Sequence, residues 1–375
     1  MTSNGEKHLP QRLESIQGLR GIAAFLVVLF HMASFQRQMA EGNPQDIALT
    51  SGIWDNGWVG VDLFFVISGF IMVYVTRNSG RTLKDVGRFI TSRITRIYPL
   101  WWVCAGIMAL YFWLTYGMPA APDRVANTSE AMAFAVKSFM FIPQQAEPIL
   151  GLGWTLIHEM FFYIVFACLL FIPRNYIPHA LAIWAALTVI GAQFVHPAAD
   201  GRNIAEVAAS PLSLEFISGA FVGYLISMNK VFTPKLFLIM GVILACLGFL
   251  FYPDKSEVPY TILRVAIFSV HFIFLTYGWV GCELNEELSA PKWLSRLGDW
   301  SYSLYLTHYI VLVALRRIYR IMFPEDLWVG ATGIWDNIVF AVLSLALSVI
   351  TASIFYNFIE KPSLKFFKKN RTKVR

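Results

Sequence analysis

Apolar residues along this chain come in long, nearly unbroken runs separated by short polar connectors. A helix that crosses a bilayer needs about 20 mostly apolar residues. About ten runs of that kind occur, near 18–36, 58–76, 97–117, 151–172, 179–196, 208–228, 235–252, 261–281, 300–322 and 335–358. The pattern predicts an all-α fold, a polytopic membrane helix bundle of about ten transmembrane helices. No hydrophilic stretch is long enough for a separate domain, and no repeat with a period of about 20–50 residues marks a solenoid. Residues 1–375 are therefore expected to form a single integral-membrane unit with no appended soluble domain. The longest outer connection, 118–150, contains Pro119, Pro122, Pro143 and Pro148. Its apolar middle, SEAMAFAVKSFMFI, is too short to span and predicts an interfacial or re-entrant helix, a natural lid over an outward-facing site.

Composition agrees with the pattern. The chain is 57% hydrophobic and 14% charged, where soluble domains average about 25% charged residues. The net charge of +6 reads as topology. With a cytoplasmic N-terminus and ten spans, the inner segments hold Lys7, Arg12 and Arg20; Arg77 through Arg96; Arg174; Lys230 and Lys235; Lys292 and Arg296; and the basic tail. That is the positive-inside arrangement, and it places both N- and C-termini in the cytoplasm. Nucleic acid is not an expected partner. Arg316, Arg317 and Arg320 are the misfit, at the outer end of the ninth run. They are a local detail of the fold or a site for an anionic glycan or lipid. Cys104, Cys168, Cys246 and Cys282 lie in or beside apolar runs without metal-ligand spacing, and read as buried small hydrophobes. The first run has no cleavage site and is expected to stay as an anchor.

Ionisable residues inside apolar runs are costly and point to function. Arg20 and His31 lie eleven residues apart on the first run, close to three helical turns, so they share one face. The rise between them is about 16 Å, roughly half a bilayer core. A neutral imidazole at mid-depth can take a proton from a hydroxyl. Asp62 in GWVGVDLFFVISGF falls near the outer end of the second run, where it could meet His31 and fix its tautomer, or instead pair with an arginine or backbone. Ser68-Gly69 forms a small-residue notch deeper in the same helix.

Arg88, Arg93 and Arg96 approach the membrane from the inner connector, with Arg93 and Arg96 on one helical face. Their forks suit phosphate oxygens; the density of six basic residues in this connector favours more than topology, though anionic lipid headgroups would also satisfy it. The fourth run opens GLGWTLIHEMFFY, with Glu159 near the outer edge, Tyr163 one turn deeper, and Trp154 and His158 beside them. Glu215 is similarly near the outer end of its run. Tyr302, Tyr305 and His308 begin the ninth run, and Glu360-Lys361-Pro362 reads as a helix stop with a local ion pair. Arginines thus gather inside, and His31, Asp62, Glu159 and Glu215 toward the outer half. No zinc spacing, nucleophile elbow or phosphate loop is present, so no metal is expected.

At these residues the chain resembles the bacterial membrane acyltransferase-3 family, particularly its exopolysaccharide O-acetyltransferase members. The resemblance covers essentially the whole chain. It rests on LRGIAAFLVVLFH, GVDLFFVISGF, RITRIYP, WTLIHEMFFY and SYSLYLTH, in that order. It implies an enzyme of the inner (cytoplasmic) membrane that moves an acyl group, usually acetyl from acetyl-CoA, onto a saccharide hydroxyl outside the cytoplasm or on a lipid carrier. By motif, His31 is the catalytic histidine, Asp62 and Glu159 support it or the acceptor, and Arg20, Arg93 and Arg96 serve the CoA donor. Ser68, Trp154, Tyr163, Glu215 and His308 are then substrate-binding candidates. Acyl-CoA, a polysaccharide or lipid-linked saccharide and membrane lipid are the expected partners. The rival reading is a transporter or flippase of a lipid-linked sugar, with buried His, Asp and Glu as a proton relay. The chain shows no inverted internal symmetry of the sort such transporters carry.

Overall fold

In the computed structural model, residues 9–39, 52–195, 202–251, 262–322 and 334–373 are described. All regular structure among them is helical: α1 (Glu14–Met39), α2 (Val59–Val75), α3 (Leu83–Tyr116), α4 (Thr128–Met140), α5 (Gly153–Leu169), α6 (Ile177–Phe194), α7 (Ile204–Ala209), α8 (Leu212–Ser227), α9 (Pro234–Phe251), α10 (Ile262–Leu284), α11 (Lys292–Asp299), α12 (Ser301–Met322), α13 (Ile334–Phe355) and α14 (Lys361–Lys373). A 3-10 turn precedes α2, and a π-helical turn, Tyr356–Glu360, joins α13 to α14. Each predicted apolar run falls on one of these helices. Among the described residues, seven helical stretches are long and apolar enough to cross a membrane, and α5 and α8 are apolar but shorter. The chain is an all-α polytopic membrane protein.

Contacts sort the helix ends into two groups. At one end, the backbone N–H groups of Glu14 and Ser15 donate to Glu283, both at 2.7 Å, capping orphan donors of α1 with a carboxylate from α10. Arg77 donates to the Leu9 carbonyl at 2.8 Å and Arg174 to the Ser227 carbonyl at 2.7 Å. The basic segments expected on one side of the bilayer therefore share one end of the bundle. At the other end Arg37 pairs with Asp55, and Gln36 donates to the Asn337 carbonyl at 2.9 Å. Arg316 belongs to this second end. It donates to Gln38 at 2.8 Å and lies over the Phe35 ring, while Arg317 and Arg320 are exposed. Cys104 and Cys282 are buried as expected, whereas Cys168 and Cys246 are exposed on the flanks of the bundle.

Two local features set the depth of the site residues. First, α3 is one helix of 34 residues. Thr82 and Asp85 close a capping box at its start, and the helix runs through Pro99. Arg93 and Arg96 thus ride on a rigid extension of a span. Second, α4 descends into the bundle. Its last turn reaches the middle of α3, where Tyr98 and Trp102 donate to the carbonyls of Met140 and Phe139, at 3.3 and 3.2 Å. The Trp101 and Phe141 rings pack 4.7 Å apart. The segment 118–150 is re-entrant, and α4 does not lie across the outer face as a lid. Consequently α5 begins at the level of Trp101, well inside the bundle. A Cβ on Gly153 would meet the Trp101 ring at 2.5 Å.

The notch at Ser68-Gly69 has a clear purpose. A Cβ on Gly69 would collide with the Phe216 carbonyl, and one on Gly219 with the Val66 carbonyl. Reciprocal glycines let the α2 and α8 backbones touch, and this close seam turns the opposite side of α2, with Ser68, toward a cavity.

Candidate active site

The cavity opens at the basic end and measures about 340 Å³. The N-terminal segment, α1, α2, α3, α5 and α12 line it. Its polar wall holds Arg20, Ser68, Arg93, Arg96, Glu159 and Tyr163, and its apolar wall includes Ile16, Val61, Phe64, Ile67 and Ile71. Six of the sequence-selected residues therefore converge. Arg20 donates to Gln17 at 3.0 Å. Arg93 lies against the Phe89 and Tyr163 rings, its guanidinium carbon 5.7 and 5.9 Å from their centroids. Among the described residues, neither guanidinium has a carboxylate partner. Arg96 is held differently. It pairs with Glu360 at 3.1 Å, and Glu360 also accepts from Ser303 at 2.6 Å. The expected local pairing of Glu360 with Lys361 gives way to this one because the π-helical turn carries the buried carboxylate back across α12 and α3.

Glu159 is where the sequence reading and the structure part. It was expected near the outer edge. The re-entrant α4 lowers the start of α5, so Glu159 arrives at the arginine end. There it accepts from Tyr163, one turn away, and from Ser68 at 3.3 Å. The grouping of Glu159 with His31, Asp62 and Glu215 in the outer half is corrected accordingly. Trp154 does not line the cavity. It packs edge-on to His158, with ring centroids 5.9 Å apart, and His158 is buried between aromatic rings.

Asp62 and His31 do not meet. Arg264 of α10 donates through Nη2 to both Asp62 oxygens, at 2.7 and 2.9 Å, and lies flat on the Trp58 ring at 3.9 Å. Glu215 is buried beside this pair. All three ionisable groups are sealed from the cavity. His31 instead faces His308 of α12, whose Nε2 is 3.3 Å from His31 Nδ1. The two rings sit 5.1 Å apart, with the Tyr309 ring edge-on to His31. His308 is fully buried and His31 only partly. The cavity stops short of the histidines. Tyr305 closes it: its ring lines the cavity, packs edge-on to Phe64 at 5.9 Å and lies 6.2 Å from the His308 ring. Its hydroxyl is 2.7 Å from Thr155 Oγ1.

The structure thus sets Arg20, Arg93, Arg96 and an apolar wall around one cavity, with an imidazole pair beyond Tyr305. The sequence profile of an acyltransferase domain family matches residues 13–357. The chain belongs to the acyltransferase-3 family. It is an enzyme, an acyltransferase set in a membrane. Its similarity to individual members is spread over most of its length. It is 29% identical to the exopolysaccharide production protein ExoZ of Rhizobium meliloti, over 82% of this chain and 90% of that one. It is 24% identical to the acyltransferase MdmB of Streptomyces mycarofaciens, over 96% and 94%. It is also 24% identical to the O-acetyltransferase OatA of Staphylococcus aureus, covering 95% of this chain and 58% of OatA. No solved structure matches the chain.

Within the acyltransferase-3 fold, the sequence reading overlooked Arg264, Tyr305 and Glu360 as site-shaping residues. A signal for Arg264 existed, since a lone guanidinium in an apolar run needs a carboxylate or carbonyl partner inside the bundle. Among the described residues, no group of three or more His, Cys, Asp or Glu side chains could hold a metal ion.

Proposed function

We propose that this acyltransferase moves an acyl group, acetyl in the first instance, from acyl-CoA to a hydroxyl of a saccharide, outside the cytoplasm or on a lipid carrier, in the bacterial inner membrane. The observation that carries the reading is the convergence of Arg20, Arg93 and Arg96 at the mouth of a cavity whose deeper wall is apolar. Guanidinium forks match phosphate oxygens, and an apolar passage suits the thin arm that links those phosphates to a thioester. Ser68 and Glu159 offer acceptors for the amide N–H groups of such an arm. The basic segments that share this end of the bundle support a cytoplasmic donor mouth, as the positive-inside rule leads one to expect. The names of ExoZ and OatA point to a polysaccharide hydroxyl as acceptor.

The chemistry follows from the residues at the two ends of the passage. The thioester carbonyl comes to rest beyond Phe64 and Tyr305, which must swing aside. His31 takes the proton of the acceptor hydroxyl. The oxygen attacks the carbonyl carbon, the C–S bond breaks, and the thiolate leaves with the proton that His31 held. Ester and free CoA are the products, and His31 is restored.

The test uses purified protein in lipid nanodiscs, acetyl-labelled acetyl-CoA and exopolysaccharide from cells lacking the chain. Label is expected to pass to the polysaccharide with the parent protein and not with His31→Ala. Undiminished transfer by His31→Ala, or no consumption of the thioester by the parent protein, contradicts the proposal.

A further inference from the structure

The partner of His31 is another imidazole, and the hydrogen bonds around the pair fix which nitrogens carry protons. His308 Nδ1 lies 2.9 Å from the Leu304 carbonyl oxygen. A carbonyl only accepts, so this nitrogen holds a hydrogen. In a neutral ring the other nitrogen, Nε2, is then a bare acceptor. That Nε2 points at His31 Nδ1, 3.3 Å away, and His31 Nδ1 is also 3.0 Å from the Val27 carbonyl oxygen. Both neighbours of His31 Nδ1 are acceptors, so it too carries its hydrogen. His31 Nε2 is left with the lone pair.

We propose that His308 is a positioning residue for His31: it shares the Nδ1 hydrogen with the Val27 carbonyl, so that the two together hold the Nδ1–H tautomer and leave the bare Nε2 for the substrates, and it accepts from Nδ1–H when the ring becomes an imidazolium. This rests on His31 acting as the base in the proposed reaction. The role is the one a buried carboxylate plays behind a catalytic imidazole, and it replaces the direct substrate contact expected for His308. Both carboxylates that could have served are engaged elsewhere, Asp62 with Arg264 and Glu159 with Tyr163 and Ser68. A neutral acceptor has an advantage at this depth. A carboxylate against His31 would add a buried charge needing its own counter-ion, whereas His308 is already satisfied by backbone. The geometry is set by the helices themselves, since each ring donates to the carbonyl one turn back on its own helix. Burial of His308 and the Tyr305 and Tyr309 rings on either side hold the pair in register.

The test compares His31→Ala, His308→Leu and His308→Gln in the full-length protein in nanodiscs, with acetyl-CoA as donor and exopolysaccharide from cells lacking the chain as acceptor. Leucine keeps the volume without an acceptor, and the glutamine side-chain oxygen reaches the position of Nε2. His31→Ala is expected to be inactive. His308→Leu should lose about a hundredfold in kcat, the scale of proton-transfer catalysis, at an unchanged melting temperature. His308→Gln should recover at least about tenfold of that loss. Equal rates for the leucine and glutamine variants, with His31→Ala inactive, overturn the positioning role and leave the proposed reaction standing. An active His31→Ala overturns both. The nitrogen-15 spectrum of histidine-labelled parent protein provides a second measurement that needs no substitution. It should show His31 protonated at Nδ1 and bare at Nε2, and the reverse tautomer overturns the assignment.

Discussion

Asp62 and Glu159 look alike in the sequence, each a lone carboxylate a few residues into an apolar run, yet they end in different kinds of place. Asp62 is fully enclosed. Both of its oxygens are taken by Arg264, which is stacked on Trp58. Glu159 faces an open cavity among arginines, and its bonds come from the hydroxyls of Tyr163 and Ser68. The first arrangement fastens α2 to α10. The second leaves a charged group accessible to whatever enters the cavity. The difference teaches that an intramembrane charge marks function only once its partners are known. A carboxylate neutralised by a buried guanidinium is architecture, and one held by hydroxyls at a cavity wall is available for binding. The arginines divide in the same way. Arg77, Arg81 and Arg174 are tied to the carbonyls of Tyr74, Ile172 and Ser227 at or just past helix C-termini, where cations complement the helix dipole, whereas Arg20 and Arg93 line the cavity.

The comparison can be broken most severely at Arg264. Arg264→Met leaves Asp62 buried without its counter-ion and is expected to cost about 3–5 kcal/mol, read as a large fall in thermal stability and in yield of inserted protein. Adding Asp62→Leu should restore much of that loss, because the two charges then leave together. A stable, fully active Arg264→Met protein would show that the cluster is not what joins these helices. Glu159→Gln sharpens the other half. Its folding stability should match the parent within about 0.5 kcal/mol, while kcat/KM falls about tenfold through loss of one charge-assisted hydrogen bond. Loss of stability without a specific loss of rate would move Glu159 into the same class as Asp62.

Much of this was legible in the sequence. The apolar runs located the helices because a span must be long and unbroken. The eleven-residue interval put Arg20 and His31 on one side of α1. The density of basic residues before Trp101 marked the arginines that line the cavity. The pairings were not legible. Asp62 meets Arg264 across 202 residues, and His31 meets His308 across 277, and such meetings depend on helix order in the bundle, which hydropathy does not encode. The depth of Glu159 was misread because the re-entrant course of α4 shortens the span that follows, and a short apolar segment looks the same whether it lies on the surface or dips inward. Tyr305, which lines the cavity and lies against the His308 ring, comes from α12, so periodicity within α1 gave no hint of it.

On the proposed function, the carrier of the acyl group binds in the arginine-lined cavity. Titration calorimetry of coenzyme A into the parent protein and into the Arg20→Ala/Arg93→Ala double variant tests it most directly. Removal of two charge-assisted contacts, each about 1.5–3 kcal/mol, is expected to weaken binding by at least about a hundredfold with no change in the melting profile of the unliganded protein. Equal affinity for the two proteins would contradict the account.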